Sequence, residues 1–428
     1  MINNLFNFLK VKMGVCGIEL VYALVLMIGP IDFGFIGIYT SSIGHQIRGK
    51  YNLSDTHIKW VLYSSIPFLT AIIGAYIAKI TLSKTKGSRK KTVFVVDCIA
   101  GVSWLLNCLT KVNIIAGIIT RALCGLALGA FVTISPMYLV EIAPSGYSGV
   151  FGSMNQFAIV LGNILYSVLG PYLDYMELNY LAAGVSVLQA ILIWFIIESP
   201  DADQESAEEK PTTAVFQRKY AKGLIVGIIL MFITQFSGIN GILTNISIIM
   251  SEGGLDINPN FQSAIAIAAQ FISISINFLT VERLGRRIVW IISSAVCAVG
   301  LLLLALNEKF NWSTVLPVVC IFIYFLGFGY GIGSICWFIV SEIFEADVRS
   351  AANSVCVITN WAFSFVMVMV FPSMKKSMKM FGVSIFCFVI CIFSIVFGYF
   401  MIPEPRRDNE SSQQDDEDKE DSSKNVES

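Results

Sequence analysis

Apolar positions in this chain run together in long blocks separated by short polar stretches, with no sustained helical or strand alternation. Twelve blocks occur, at 15–44, 58–80, 92–111, 113–140, 149–171, 178–199, 221–251, 260–282, 287–306, 314–342, 350–373 and 380–402. Runs of about 20 apolar residues suit a helix that crosses a bilayer. Helix is the element such a block must adopt, because a segment in lipid has to satisfy its own backbone. The pattern predicts an all-α membrane protein with twelve transmembrane helices.

The blocks repeat at an offset of about 200 residues, the mark of internal duplication. "KGSRKK" follows the second block and "RLGRR" the eighth; "PMYLVEI" ends the fourth and "WFIVSEIF" the tenth; "IIESPD" ends the sixth and "MIPEPRR" the twelfth. Two six-helix halves are expected, 15–200 and 223–403. They follow an N-terminal segment 1–14, are joined by a polar linker 201–222, and are followed by an acidic tail 404–428 without apolar periodicity.

Composition agrees: 55% of residues are hydrophobic and 14% charged, against about 25% charged in soluble domains. Lys10 and Lys12 lead straight into a full-length block, so the first helix is expected to be its own insertion signal. Arg48, Lys50, Lys59, Lys111, Lys309, Lys375, Lys376 and Lys379 fall on one side of the membrane, and the opposite segments carry more than twice as many basic residues. The bias puts both termini in the cytoplasm. The sequons at Asn52 and Asn311 then fall outside as glycosylation candidates. The ten cysteines lack metal or redox spacing and read as packing residues, and no nucleophile–base pair or metal cluster is visible in the blocks. An enzyme, a metal site and a nucleic-acid partner are not expected.

Inside the blocks stand neutral amides, Gln156, Gln235, Asn240, Gln270 and Asn360, with Trp337 and Trp361. Amides in hydrocarbon bond one another, line water or meet a ligand. A sugar, a ring of hydroxyls with apolar faces, needs such amides and an aromatic wall. Helix-to-helix glue is the alternative for the amides and interfacial anchoring for the tryptophans. Two charges are equally deep: Asp32 in "MIGPIDFGFIG" and Arg121 in "RALCGLALG". An intramembrane acid costs at least about 2.5–3.5 kcal/mol and asks for a partner.

The chain resembles the sugar porter family of the major facilitator superfamily over roughly 15–407. The resemblance is carried by "RALCGLALG", "PMYLVEIAP", "NQFAIVLGN", "ESP", "QFSGIN", "VERLGRR", "GIGSICWF", "SEIFEADVRSAA", "NW" at 360–361 and "PEPRR". It implies two six-helix halves that rock about a central site. It also implies sugar-binding roles for Gln156, Gln235, Asn240, Trp337, Asn360 and Trp361, with Gln270 and Thr234 standing where relatives carry other site residues. Gly329 replaces a glutamate common in relatives, and Ile332 and Ser334 replace prolines of the tenth helix.

"PIDFG" is similar to "GYDxG" of proton-coupled members, which implies that Asp32 pairs with Arg121. Separating the two would strip the carboxylate of its counter-ion and prompt proton uptake. A static buried ion pair is the alternative.

Charge pairs at the cytoplasmic face of this family are implied for Arg89, Glu141, Glu282, Arg286, Arg287, Glu342 and Arg349, where they would hold the inside shut. "KGSRKK" lacks an upstream aspartate, and Ser148 and Asp201 stand where arginines are usual, so a weak inside gate and a large inward-open population are expected. The expected function is monosaccharide transport, of a hexose such as glucose, by alternating access in the plasma membrane. A proton is the coupling ion, no other cofactor is expected, and a monomer suffices. The alternatives are an uncoupled sugar or polyol facilitator and a sugar sensor.

Overall fold

A computed structural model describes residues 17–144, 147–198, 215–344 and 346–402, and these are helical almost throughout. The segment 1–14, most of the 201–222 linker and the 404–428 tail lie outside the described residues. The first block forms α1 (Gly17–Leu26) and α2 (Ile28–Tyr51). α3 (Ile58–Lys84), α4 (Arg89–Asn107), α5 (Ile114–Glu141), α6 (Ser148–Leu169) and α7 (Tyr175–Leu192) complete the first half. The second half begins with a broken span, α8 (Ala221–Phe236) and α9 (Ile239–Glu252), followed by α10 (Pro259–Leu284) and α11 (Arg286–Phe310). A second broken span, α12 (Leu316–Tyr330) and α13 (Ile332–Ile343), precedes α14 (Ala346–Met401), which is two spans joined at Lys379, where φ is 58°. All twelve expected spans are present in two six-span halves.

Polar residues at block edges start the helices. The Asn113 carboxamide accepts from the Ile115 N–H at 2.8 Å, and Asp174 with Glu177 forms a reciprocal capping box at the head of α7. Inside the bundle, small residues set the helix spacing. Gly125 and Gly129 of "CGLALG" lie directly against the backbone of Pro67 and Ala71, so any Cβ there would enter α3. That part of the motif is explained by packing alone.

Nine described segments are long and apolar enough to cross a membrane, one of which comprises both spans of α14. Polar side chains also stand within α6 and α10. The former carries Gln156 and Asn163, and the latter Gln262, Gln270, Ser273 and Asn277. The two helices meet across the halves, with Phe157 stacked on Phe271 at 5.6 Å. α2 also meets α9, and α3 meets α14.

Polar bonds cross between the halves toward both ends of the bundle; toward the start of α4, Lys79 Nζ donates to Ser354 Oγ. At the end carrying loop 52–57, Ser41 Oγ donates to Ser247 Oγ at 2.9 Å, Ser247 Oγ donates to Asn260 Oδ1 at 2.5 Å, and Asn260 Nδ2 donates to the Ser42 carbonyl at 3.0 Å. This polar ladder ties the halves together. The opposite end, where α4 begins, is called the Arg89 end below.

Candidate functional site

The seventh span breaks within "QFSGIN". α8 stops at Phe236, and Gly238 takes φ 109° before α9 starts. That conformation suits glycine, and a Cβ would also stand 2.9 Å from Cys387 Sγ. The break brings distant amides together. Gln235 Nε2 donates to Asn360 Oδ1 at 2.8 Å, and Asn240 Nδ2 donates to both Gln235 Oε1 and Ser364 Oγ at 2.8 Å. Ser364 was not singled out from the sequence, although it lies one turn beyond Asn360 on the same helical face. An amide-to-amide bond can be exchanged for an amide-to-hydroxyl bond without leaving a buried group unpaired. That is the property a site for a hydroxylated solute needs.

Gln156 and Trp337 are half-buried, and Gln270, Asn360 and Trp361 are buried. Trp361 packs against Phe33 at 6.1 Å and Phe68 at 6.2 Å, both from the other half, and its buried indole N–H has no acceptor in the protein. An orphaned donor of this kind costs about 1–3 kcal/mol, and a ligand acceptor would remove that cost. Thr234 is buried too. Its hydroxyl donates to the Leu230 carbonyl of its own helix at 2.8 Å, so its proton is not offered to a solute.

The tenth span is broken at Gly331 even though Ile332 and Ser334 replace the prolines. Side chains of neighbouring helices hold the freed peptide groups. Ser293 Oγ donates to the Gly327 carbonyl at 2.7 Å and accepts from the Ile332 N–H at 2.9 Å, while Asn277 Nδ2 donates to the Tyr330 carbonyl. Gly329 abuts α10, where a Cβ would collide with Ser273 Oγ and lie 3.3 Å from Gln270 Cα. Glycine in place of glutamate thus lets α12 close on α10 beside Gln270.

The expected ion pair between Asp32 and Arg121 is not formed. Asp32 is fully buried and accepts from Trp104 Nε1 at 2.7 Å and Ser186 Oγ at 3.4 Å. The Arg121 guanidinium lies over the rings of Tyr39 at 4.6 Å and Tyr63 at 5.8 Å, and its Nη2 donates to the Ile36 carbonyl at 3.1 Å. Its Nε and Nη1 have no partner. The planar, weakly hydrated guanidinium is attracted to aromatic faces, which here take the place of a carboxylate. Tyr39, Tyr63, Trp104 and Ser186, none of them singled out from the sequence, hold these two charges.

At the Arg89 end, the guanidinium of Arg89 grips Glu141 through Nε at 3.0 Å and Nη2 at 2.9 Å. Glu198 accepts from Ser88 Oγ at 2.6 Å and from the Arg89 N–H at 2.8 Å, capping α4. Arg287 Nε donates to the Ile402 carbonyl at 2.9 Å and Arg349 Nε to the Phe344 carbonyl at 3.4 Å. Each of these bonds lies within one half. Arg286 is engaged as well; the side chains of Glu282 and Glu342 lie outside the described residues. Asn52 and Asn311 are exposed and cap α2 and α11 with φ of 51°. Left-handed caps favour asparagine, which accounts for both residues without glycosylation.

Comparison with known proteins follows the same lines. The model of the family described as "Sugar (and other) transporter" matches residues 20–219 and 201–409. The chain is 25% identical over 436 residues to the facilitated trehalose transporter Tret1 of Bombyx mori, covering 91% of this chain and 84% of that protein. It is 26% identical over 451 residues to the solute carrier family 2 facilitated glucose transporter member 3 of Canis lupus familiaris, covering 91% and 90%. In fold it is similar to the crystal structure of a D-xylose-proton symporter, with a TM-score of 0.78 at 19% identity, covering 91% of this chain and 99% of that one. It is also similar to the inward open xylose transporter XylE from E. coli, with a TM-score of 0.76 at 20% identity, covering 91% and 97%.

Proposed function

Because the chain belongs to the sugar transporter family of the major facilitator superfamily, we propose that it carries a hexose such as glucose by alternating access, together with a proton. The observation that carries the sugar assignment is the neutral chain Gln235–Asn240–Asn360–Ser364 at the broken seventh span. Such a site recognises hydroxyls without demanding a charge from the solute. Gln156, Gln270, Trp337 and Trp361 complete it. The buried Asp32, held only by neutral donors, supports the proton as coupling ion.

The Lys and Arg bias supports placing the Arg89 end and both termini in the cytoplasm, with loop 52–57 outside at the plasma membrane. The serine–asparagine ladder then closes the outer end. A monomer suffices for this cycle, since the site and both halves belong to one chain.

Uncoupled facilitation is the second reading. Arg121 is already accommodated by tyrosine rings and needs no carboxylate, and two of the relatives above are named as facilitated transporters. Uptake of labelled glucose into proteoliposomes, with and without a pH gradient, separates the two. Accumulation that collapses with a protonophore supports symport; equilibration indifferent to pH selects facilitation. Binding without uptake would point to a sensor.

A further inference from the structure

Asp97 plays no part in the mechanism considered so far. It lies two turns before Trp104 on α4, 1% exposed, and neither carboxyl oxygen has a hydrogen-bond partner in the protein. A carboxylate in such surroundings is unfavourable as an anion, and as an acid it holds an O–H that needs an acceptor. Gln189 of α7, also 1% exposed, has the complementary lack. Its Nε2 donates to the carbonyls of Val25 at 3.3 Å and Leu26 at 3.4 Å, but its buried Oε1 accepts nothing.

The helices bring these groups to one level. α4 and α7 run antiparallel and touch where a Cβ on Gly101 would lie 3.7 Å from Ser186 Cβ. From that contact, Asp97 is one turn along α4 toward the Arg89 end, and Gln189 is one turn along α7 in the same direction. Gln189 Oε1 also lies against α2, 2.8 Å from the Cβ position of Gly29, which is one turn from Asp32. Ser186 Oγ bonds Asp32 itself at 3.4 Å.

Titratable groups on the surrounding helices include Glu19 and Tyr22 on α1, Asp32 and Tyr39 on α2, Tyr63 on α3, Arg121, Cys124 and Tyr138 on α5 and Tyr166 on α6; the stretch of α7 level with Asp97 has none. Two buried carboxylates, one of them bonded by Trp104 of the helix that carries the other, do not both ionise readily in a low dielectric.

We propose that Asp97 is a second proton site in series with Asp32, reached past Ser186 and Gln189, from which the coupling proton leaves toward the Arg89 end. The proposal rests on the proton-coupled reading above. In the transfer, the Asp32 O–H bond breaks as the Asp97 O–H bond forms, and Asp97 then gives the proton to water at the Arg89 end. The charge of the pair is unchanged until that release.

The test compares wild type, Asp32→Asn and Asp97→Asn in proteoliposomes with a pH difference of one unit, which sustains about a tenfold sugar gradient at one proton per sugar. The expected result is that Asp97→Asn equilibrates glucose as Asp32→Asn does, while exchange at equal pH is retained. Infrared pH titration gives an independent readout: the protonated-carboxyl band of Asp97 should shift its midpoint when Asp32 is replaced by asparagine. Asp97→Glu, which keeps a carboxyl but moves its band, assigns the signal, so the readout does not depend on Asp97→Asn folding. Accumulation by Asp97→Asn at the wild-type level, or a carboxyl band indifferent to Asp32, overturns the second site alone. Failure of the wild type to accumulate sugar overturns the coupled reading and this proposal with it.

Discussion

Asn240 donates to two acceptors with one amide nitrogen, and that economy makes it the most sensitive member of the polar chain. In Asn240→Ala, Gln235 Oε1 and Ser364 Oγ lose their donor, and sugar binding should weaken by about 1–3 kcal/mol. Isothermal titration with glucose measures this as a rise of roughly 5–150-fold in Kd. Asp32→Asn acts differently, because the amide oxygen can still accept from Trp104, and the amide NH2 in place of Oδ2 can donate to the Ser186 hydroxyl, while the proton site is gone. Accumulation driven by a pH gradient should disappear and exchange at equal pH should persist, both read from counterflow in proteoliposomes.

At the scale of the element, the two breaks in the second half are held by different means. The seventh span turns on a glycine with φ of 109°. The tenth relies on Ser293, whose hydroxyl serves the Gly327 carbonyl and the Ile332 N–H together. Ser293→Ala therefore leaves two buried peptide groups unpaired and should cost about 1–3 kcal/mol, seen as a lower Tm in detergent. Gly238→Ala should also lower Tm, by the left-handed backbone penalty of about 1–2 kcal/mol together with the contact to Cys387. Adding Cys387→Ala would relieve the contact and leave the backbone share. The glycines of "QFSGIN" and "GIGSICWF" are visible in the sequence; Ser293 and Asn277, on other spans, are not marked out, because no local pattern shows which side chain meets a freed carbonyl.

For the whole molecule, the question is which end of the bundle is closed. The ladder Ser41–Ser247–Asn260–Ser42 links the halves at the loop 52–57 end, while Arg89–Glu141 braces the first half internally. Asn260→Ala removes two rungs and should shift the balance toward opening at that end by about 1 kcal/mol, roughly fivefold in population. Spin labels at Lys111 and Lys309 would report longer distances in the variant. An unchanged distribution would show that the ladder does not hold that end shut.

The order of the spans, their duplication and the amides Gln235, Asn240 and Asn360 that meet at the broken seventh span were legible from the chain, because bilayer thickness and the cost of a buried polar group act on each segment by itself. Asp32 and Arg121 stood out for the same reason. Their partners did not. Trp104, Ser186 and the tyrosines that hold those charges come from other helices, and the orphaned pair Asp97 and Gln189 exists only where α4 and α7 meet. The physical reason is one of range: a single segment determines whether a group enters the membrane, whereas the groups that satisfy it are fixed by how the helices pack.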